Sequence, residues 1–226
     1  MEKLLCPSMM CANYGNLSEE VEKLEKAGAD IFHIDIMDGQ FVPNFGMGLQ
    51  DVEFICKKAT IPVDAHLMIE NPGSYVEKFA KMGIKIIYIH PESDVHPTRT
   101  LQSIIDAGAT PGIAINPGTA VATIKPLLPF VKYVMVMSVN PGFAGQKYIS
   151  SVDEKIKELI ELKEKYGYEV MLDGACSPER VETLSKMGVK GFILGTSALF
   201  GKGKPYKELL DGLRALLNMR NLHDII

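Results

Sequence analysis

Short apolar runs alternate with longer amphipathic stretches along almost the whole chain. The short runs predict β-strands, and the stretches with apolar residues every three or four positions predict helices. The predicted strands cover residues 3–7, 30–36, 61–67, 84–89, 110–115, 131–137, 168–173 and 189–195. The predicted helices cover about 18–27, 50–58, 72–82, 97–107, 119–128, 151–166, 177–187 and 205–219. The pattern therefore predicts eight strand–helix units.

A glycine that recurs at the ends of amphipathic stretches supports the same unit. Glycine readily adopts the left-handed conformation that ends a helix. Four such glycines are separated by 55, 25 and 80 residues, close to two, one and three copies of a unit of about 27 residues, namely Gly28, Gly83, Gly108 and Gly188. Eight units are typical of an α/β fold, the (β/α)8 TIM barrel, so we predict a single barrel domain over residues 1–226.

A doubly wound sheet is the alternative fold. It usually has fewer strands and a glycine-rich turn after the first one. The first predicted strand ends in Cys6-Pro7-Ser8 and has no such turn, which favours the barrel.

The second predicted strand has one polar face. Because side chains alternate along a strand, His33, Asp35 and Met37 share this face and the residues between them form an apolar face. The pair Asp64 and His66 repeats the spacing on the third strand, and one further carboxylate ends the seventh. Functional residues of such barrels gather at the C-terminal ends of the strands. Four candidate ligands fall there: His33, Asp35, His66 and Asp173.

Imidazoles and carboxylates together suit Zn²⁺, Mn²⁺, Co²⁺ or Fe²⁺. The alternative for each histidine is a hydrogen-bonded core residue, and for Asp173 a simple turn. Asp64 is predicted either to fix a histidine tautomer or to pair with another buried donor. His90, at the end of the fourth strand, lines the site or belongs to the core.

Three consecutive loops with small residues indicate a phosphate site. Small residues let backbone N–H groups approach an anion closely, and the loops after strands seven and eight often bind phosphate in such barrels. The loops contain no lysine or arginine, so backbone donors would do most of the binding. The candidate residues are Gly142, Phe143, Ala144, Gly145, Gly174, Ala175, Gly195, Thr196 and Ser197.

Methionines also fall at strand ends. Met37, Met68 and Met137 are either core filler or soft apolar walls that exclude water from the metal site.

Composition narrows the possible partners. The net charge is -4 with no long basic run, which argues against nucleic acid. No apolar run reaches membrane-spanning length, and the N-terminus lacks a signal-like pattern. Four cysteines without a Cys-x-x-Cys motif indicate reduced thiols, so we expect a cytoplasmic protein without membrane partners.

Six segments carry most of these residues: Pro7-Ser8, His33–Asn44, His66-Leu67-Met68, His90-Pro91-Glu92, Met137–Gln146 and Asp173-Gly174. In this order they resemble the ribulose-phosphate 3-epimerase family over nearly the whole chain. The resemblance implies one divalent metal ion (Zn, Mn, Co, Fe or Mg) held by His33, Asp35, His66 and Asp173. It also implies that Asp35 and Asp173 act as acid and base, inverting C3 of a phosphorylated ketose through an enediolate.

The resemblance further implies the substrate contacts. Ser8 and His66 would touch the sugar, the three methionines would pad the enediolate, and the three loops would bind the phosphate. We also expect a homo-oligomer, although the packing of a barrel explains its apolar outer positions equally well.

Three loops depart from the pentulose-phosphate pattern and look like the allulose-6-phosphate 3-epimerase branch. They contain Ser8-Met9-Met10-Cys11, Asp173-Gly174-Ala175-Cys176 and Gly195-Thr196-Ser197-Ala198. The expected reaction is therefore D-allulose 6-phosphate to D-fructose 6-phosphate. The alternative is D-ribulose 5-phosphate to D-xylulose 5-phosphate. More distant alternatives are a decarboxylase or synthase on the same fold and a non-catalytic sugar-phosphate sensor.

Overall fold

A computed structural model of the chain describes residues 3–218. Its eight strands are β1 Leu4–Pro7, β2 Phe32–Met37, β3 Val63–Met68, β4 Ile86–Ile89, β5 Thr110–Ile115, β6 Tyr133–Met137, β7 Glu169–Asp173 and β8 Gly191–Leu194. Its helices are α1 Leu17–Lys26, α2 Leu49–Lys58, α3 Val76–Met82, α4 Pro97–Asp106, α5 Val121–Ile124, α6 Val152–Tyr166, α7 Pro178–Met187 and α8 Tyr206–Asn218.

The strands form one parallel sheet in the order β1-β8-β7-β6-β5-β4-β3-β2. Its two ends meet where Ser8 forms an isolated parallel bridge with His33. Asp30 also joins these ends, since its backbone N–H donates to Leu5 O at 3.0 Å and its side chain accepts from Leu5 N at 2.6 Å. The predicted (β/α)8 barrel is confirmed.

The main apolar core lies between the barrel and its ring of helices. The outward-facing residues of β2, Phe32 and Ile34, are fully buried there. A smaller cluster fills the barrel interior, where Tyr88 is also fully buried. Gly112 makes room for this ring, because a Cβ at that position would lie 2.5 Å from Tyr88 Cδ1. The interior is therefore packed below the strand ends and leaves the mouth of the barrel as the place for a site.

Two predicted helices are shorter than expected. The segment predicted as one helix over 72–82 is a 3₁₀ turn at Pro72–Ser74 followed by α3. The segment predicted over 119–128 has only one α-helical turn, α5, followed by a 3₁₀ helix at Lys125–Phe130. Pro126 and Pro129 lack the N–H that an α-helix needs, which explains the second difference.

Other boundaries differ by at most two residues. β2 and β3 each extend one residue beyond the predicted end, to Met37 and Met68. Position 219, the predicted last residue of the eighth helix, lies outside the described residues. Within residues 3–218, no helix combines the length and the apolar character needed to cross a bilayer.

Candidate active site

Four side chains from three strands meet at the mouth of the barrel. His33 and Asp35 stand on β2, His66 stands on β3, and Asp173 ends β7. Each offers one donor atom, and these atoms all lie within 4.8 Å of one another. His33 Nε2 lies 3.3 Å from Asp35 Oδ1, and His66 Nδ1 lies 3.5 Å from both Asp35 Oδ1 and Asp173 Oδ2. The structure therefore brings together all four predicted metal ligands.

The donor atoms fit a divalent cation. His33 Nε2 and His66 Nδ1 are fully buried and have no hydrogen-bond partner among the described residues. Ligands at tetrahedral positions around zinc lie about 3.4 Å apart, because each is about 2.0–2.1 Å from the ion. Three of the six separations between these donors, at 3.3–3.5 Å, match that spacing, and all six are within 4.8 Å.

The electrostatics of the cluster favour a cation. Burial favours neutral His33, but Asp64 and Asp35 outweigh it and raise its pKa well above the usual value. Burial likewise opposes the charge of His66, and Asp173 and Asp35 raise its pKa. Burial also opposes ionised Asp35, yet His33 and His66 hold its pKa well below the usual value. A metal ion would take the place of the protons that these carboxylates attract.

Asp64 contacts one of the predicted ligands. Its Oδ1 lies 2.6 Å from His33 Nδ1, and both side chains are fully buried. The register of the sheet explains this pairing, because His33 is the direct neighbour of Asp64 across β2 and β3. With Nδ1 held by a carboxylate, Nε2 of His33 faces the other three ligands. Asp64 therefore pairs with His33 on the neighbouring strand and not with His66 on its own strand, and its effect on a histidine tautomer stays a prediction.

Ser8 lies beside one of the carboxylates. Its hydroxyl donates to Asp35 Oδ2 at 2.7 Å, on the side of Asp35 away from the histidines. Ser8 also lines the cleft above the cluster.

This cleft opens directly onto the four ligands. Asp35 and Asp173 form part of its floor, whereas His33 and His66 lie beneath it and are fully buried. His66 is the one predicted substrate contact that does not line the cleft. The others all line it: Ser8, Met37, Met68, Met137, Gly142, Phe143, Ala144, Gly145, Gly174, Ala175, Gly195, Thr196 and Ser197. Seven residues that were not predicted as individual contacts also line it, six of them in the segments Ser8–Cys11 and Met137–Gln146: Met10, Cys11, Val139, Asn140, Pro141, Gln146 and Ile193.

The loop after β6 is held by hydrogen bonds within itself and by one from the loop after β2. Gln146 Nε2 donates to Asn140 O at 2.6 Å and to Phe143 O at 2.8 Å. Asn44, in the loop after β2, donates from Nδ2 to Gly142 O at 2.7 Å. The small residues therefore occupy a fixed loop.

Within residues 3–218, none of the residues that line the cleft is a lysine or an arginine. Neutral donors are available instead, since the N–H groups of Ala175 and Ser197 donate to no acceptor within residues 3–218. A bound anion would be held by peptide dipoles rather than by cationic side chains.

The loop after β7 contains a backbone conformation that L-residues rarely adopt. Gly174 has φ +100°, and a Cβ there would lie 2.6 Å from Val139 Cγ2. Ala175 follows with φ 46°. A side chain in the left-handed region costs roughly 1–2 kcal/mol.

Ala175→Gly is therefore expected to raise the free energy of unfolding by about 0.5–1 kcal/mol, because glycine removes this strain at some cost in chain entropy. Urea unfolding would measure it. The matched control is Ala107→Gly, at the end of α4 with φ −77°, where glycine should destabilise by about 0.5–1 kcal/mol. Equal destabilisation by both substitutions would contradict the left-handed conformation of Ala175.

Comparison with solved structures shows the fold. 3-Keto-L-gulonate-6-phosphate decarboxylase from Vibrio cholerae O1 biovar El Tor matches with a TM-score of 0.70 over 96% of this chain and 97% of its own. The sequences are only 12% identical, so the likeness concerns the barrel alone.

Comparison of sequences shows the family. The ribulose-phosphate 3-epimerase from Helicobacter pylori (strain J99) is 40% identical over 93% of this chain and 96% of its own length. The one from Aquifex aeolicus is 39% identical over 88% and 90%, respectively. The sequence model of the family described as "Ribulose-phosphate 3 epimerase family" matches residues 4–200. The chain therefore belongs to the ribulose-phosphate 3-epimerase family, whose members bind a divalent metal, and it is an isomerase that epimerises a phosphorylated ketose.

Proposed function

We propose that the protein is a metal-dependent ketose-phosphate 3-epimerase that interconverts D-ribulose 5-phosphate and D-xylulose 5-phosphate. The observation that carries the proposal is the pair of carboxylates, Asp35 and Asp173, that enter one ligand cluster from different strands. The names of relatives at about 40% identity favour the pentulose phosphate over the hexulose phosphate expected from the loops.

Inversion of a carbon requires proton transfer on both of its faces. β2 and β7 are three strands apart around the barrel, so Asp35 and Asp173 approach the cleft from different sides. One carboxylate would take the C3 proton from one face, and the other would return a proton to the opposite face. When bound, a divalent cation supplies the Lewis acidity that lowers the energy needed to remove a proton beside a ketone.

The surroundings support different tasks for the two carboxylates. Asp35 accepts a hydrogen bond from Ser8 and is nearly buried, with 6% of its side chain exposed. Asp173 has 15% of its side chain exposed. We assign to Asp35 the role of the base with the more fixed position. Asp173 would be the base whose side chain has more freedom to move a proton to and from the sugar.

The apolar part of the cleft would protect the intermediate. Met37, Met68 and Met137 are each at least 93% buried and line the cleft beside the carboxylates. Their thioethers offer no proton donor, so an enediolate held against them would be shielded from water.

The loops after β6, β7 and β8 would bind the phosphate. Ala175 and Ser197 have unused N–H donors in the loops after β7 and β8, where barrels of this kind often bind phosphate. This donor set supports a phosphorylated substrate and explains how the cleft functions without a basic residue.

D-Allulose 6-phosphate is the second candidate substrate. The three departures from the pentulose pattern contribute Met10, Cys11, Ala175 and Thr196, all of which line the cleft. Substitutions in the lining are the kind that change which sugar fits.

Side-by-side measurement of kcat/KM for both sugar phosphates tests the proposal. We expect a preference of at least tenfold for D-ribulose 5-phosphate. A tenfold preference for D-allulose 6-phosphate would make that sugar the substrate of the same reaction. A ratio of the two kcat/KM values near one would assign both sugar phosphates as substrates. Binding of both without turnover would replace the epimerase by a sugar-phosphate sensor.

A further inference from the structure

His66 has a second interaction on the side away from the ligand cluster. Its Nε2 lies 2.8 Å from Nε2 of His90, which directly follows β4. Both rings are fully buried, and they meet edge to edge with their centroids 5.0 Å apart and their planes 23° from parallel. Phe41 covers the outer side of His90, with ring centroids 4.8 Å apart.

The contact between the two rings fixes the positions of their protons. Two imidazole nitrogens at 2.8 Å form a hydrogen bond only if one donates and the other accepts. His66 presents Nδ1 to the cluster as a lone pair if it is a ligand, so its Nε2 carries the proton and donates. His90 then accepts at Nε2 and carries its own proton on Nδ1.

Glu92 is the carboxylate beside this nitrogen, in ion-pair contact with it but without a hydrogen bond of ordinary geometry among residues 3–218. Its Oε2 lies 3.5 Å from His90 Nδ1. Its Oε1 accepts the N–H of Asn116 at 2.9 Å and also the hydroxyl of Thr119. These donors hold Glu92 against the loop after β5. Lys155 in turn holds this loop, since its Nζ donates to Asn116 O at 2.7 Å.

We infer that Glu92 and His90 are positioning residues that orient His66 as a metal ligand through the chain Glu92–His90–His66. This inference rests on the proposed function, since it takes His66 as a ligand. A carboxylate at the far end of a ligand histidine fixes its tautomer and makes its free nitrogen a stronger donor to the metal. Here the carboxylate acts through an intervening imidazole. The chain is separate from the contact between Asp64 and His33, so each ligand histidine has its own carboxylate.

The test measures Co²⁺ binding to full-length protein in competition with a chelator, together with the visible spectrum of the Co²⁺ protein. Glu92→Gln keeps the size of the side chain and removes its charge. His90→Phe keeps an aromatic ring against Phe41 and removes the acceptor. The matched control is Glu169→Gln, at the start of β7 and the opposite end of the barrel, where 26% of the side chain is exposed against 22% in Glu92.

Glu92→Gln is expected to weaken Co²⁺ binding about 10–100-fold, and His90→Phe at least as much. The Co²⁺ band should change at saturating metal in both variants, which a loss of stability alone would not produce. Glu169→Gln should keep wild-type affinity and spectrum. Thermal unfolding of metal-free protein identifies a variant that has failed to fold. In that case the Co²⁺ affinity and spectrum of the other variant decide whether the positioning role holds.

The two proposals fail in different ways. Wild-type Co²⁺ affinity and spectrum in a folded Glu92→Gln or His90→Phe variant would overturn the positioning role and leave the epimerase untouched. Protein that binds Co²⁺ through this chain but turns over neither sugar phosphate would overturn the epimerase and leave the positioning role standing.

Discussion

Asp173→Asn is expected to lower epimerase turnover roughly 10³-fold, and Asp35→Asn by a similar factor. Asparagine keeps the shape and one oxygen donor of each side chain but can neither accept nor return the C3 proton. Because Asp35 and Asp173 would serve opposite faces of the same carbon, loss of either stops net inversion even when the other is intact.

Exchange with solvent deuterium separates the two roles. A variant that retains one base can still remove and replace the C3 proton on the face which that base serves. Each variant should therefore exchange the proton of only one epimer, and the two variants should exchange opposite epimers. Metal content measured in parallel distinguishes lost proton transfer from lost metal.

The matched control is Asp211→Asn on the outside of α8, where the carboxylate pairs with Lys207 in solvent. This variant should retain wild-type turnover. Turnover near that of wild type in either Asp35→Asn or Asp173→Asn, with metal bound, would refute the scheme of two bases.

Dialysis against a chelator is expected to abolish turnover, and one of Zn²⁺, Mn²⁺, Co²⁺, Fe²⁺ or Mg²⁺ should restore it. Four donors at the mouth of the barrel supply the ligands, three of them on buried residues. Two are histidine nitrogens without a hydrogen-bond partner among residues 3–218. Restored ion should also raise the stability of the fold, by about 2.7 kcal/mol at a free concentration of 100 Kd.

Activity before and after dialysis and thermal unfolding with and without added metal provide the two measurements. His66→Ala should lose the response to metal. His96→Ala, which removes an exposed histidine at the start of α4, should respond as wild type does. Full turnover by protein shown to be free of metal would contradict the Lewis-acid role.

Periodicity predicted the fold well because each unit of the barrel is local. The apolar run at 110–115 coincides with β5, and glycines after the helices marked the repeat. The prediction was wrong where proline outweighed amphipathic pattern, as at Pro126 and Pro129. There the apolar spacing of a helix persists, but the backbone cannot form its hydrogen bonds.

The ligand cluster was predictable because its members depend only on alternation along a strand and on position at a strand end. Interactions between different strand–helix units were harder to predict from the sequence. Asp64 contacts His33 because of the register between β2 and β3, which no single segment reveals. The chain from His66 to Glu92 likewise depends on the register between β3 and β4. The bond from Asn44 to Gly142 joins loops after β2 and β6, whose contact depends on closure of the barrel.

Among the described residues, the cleft lining contains no lysine or arginine, and this has a kinetic consequence. A ketose phosphate is close to a dianion at neutral pH, and the chain carries a net charge of -4. A divalent ion between Asp35 and Asp173 would have its charge cancelled by theirs, so no local excess of positive charge remains to steer the substrate. Long-range forces then oppose encounter, and screening by added salt should speed association slightly, the reverse of the behaviour of enzymes with cationic clefts.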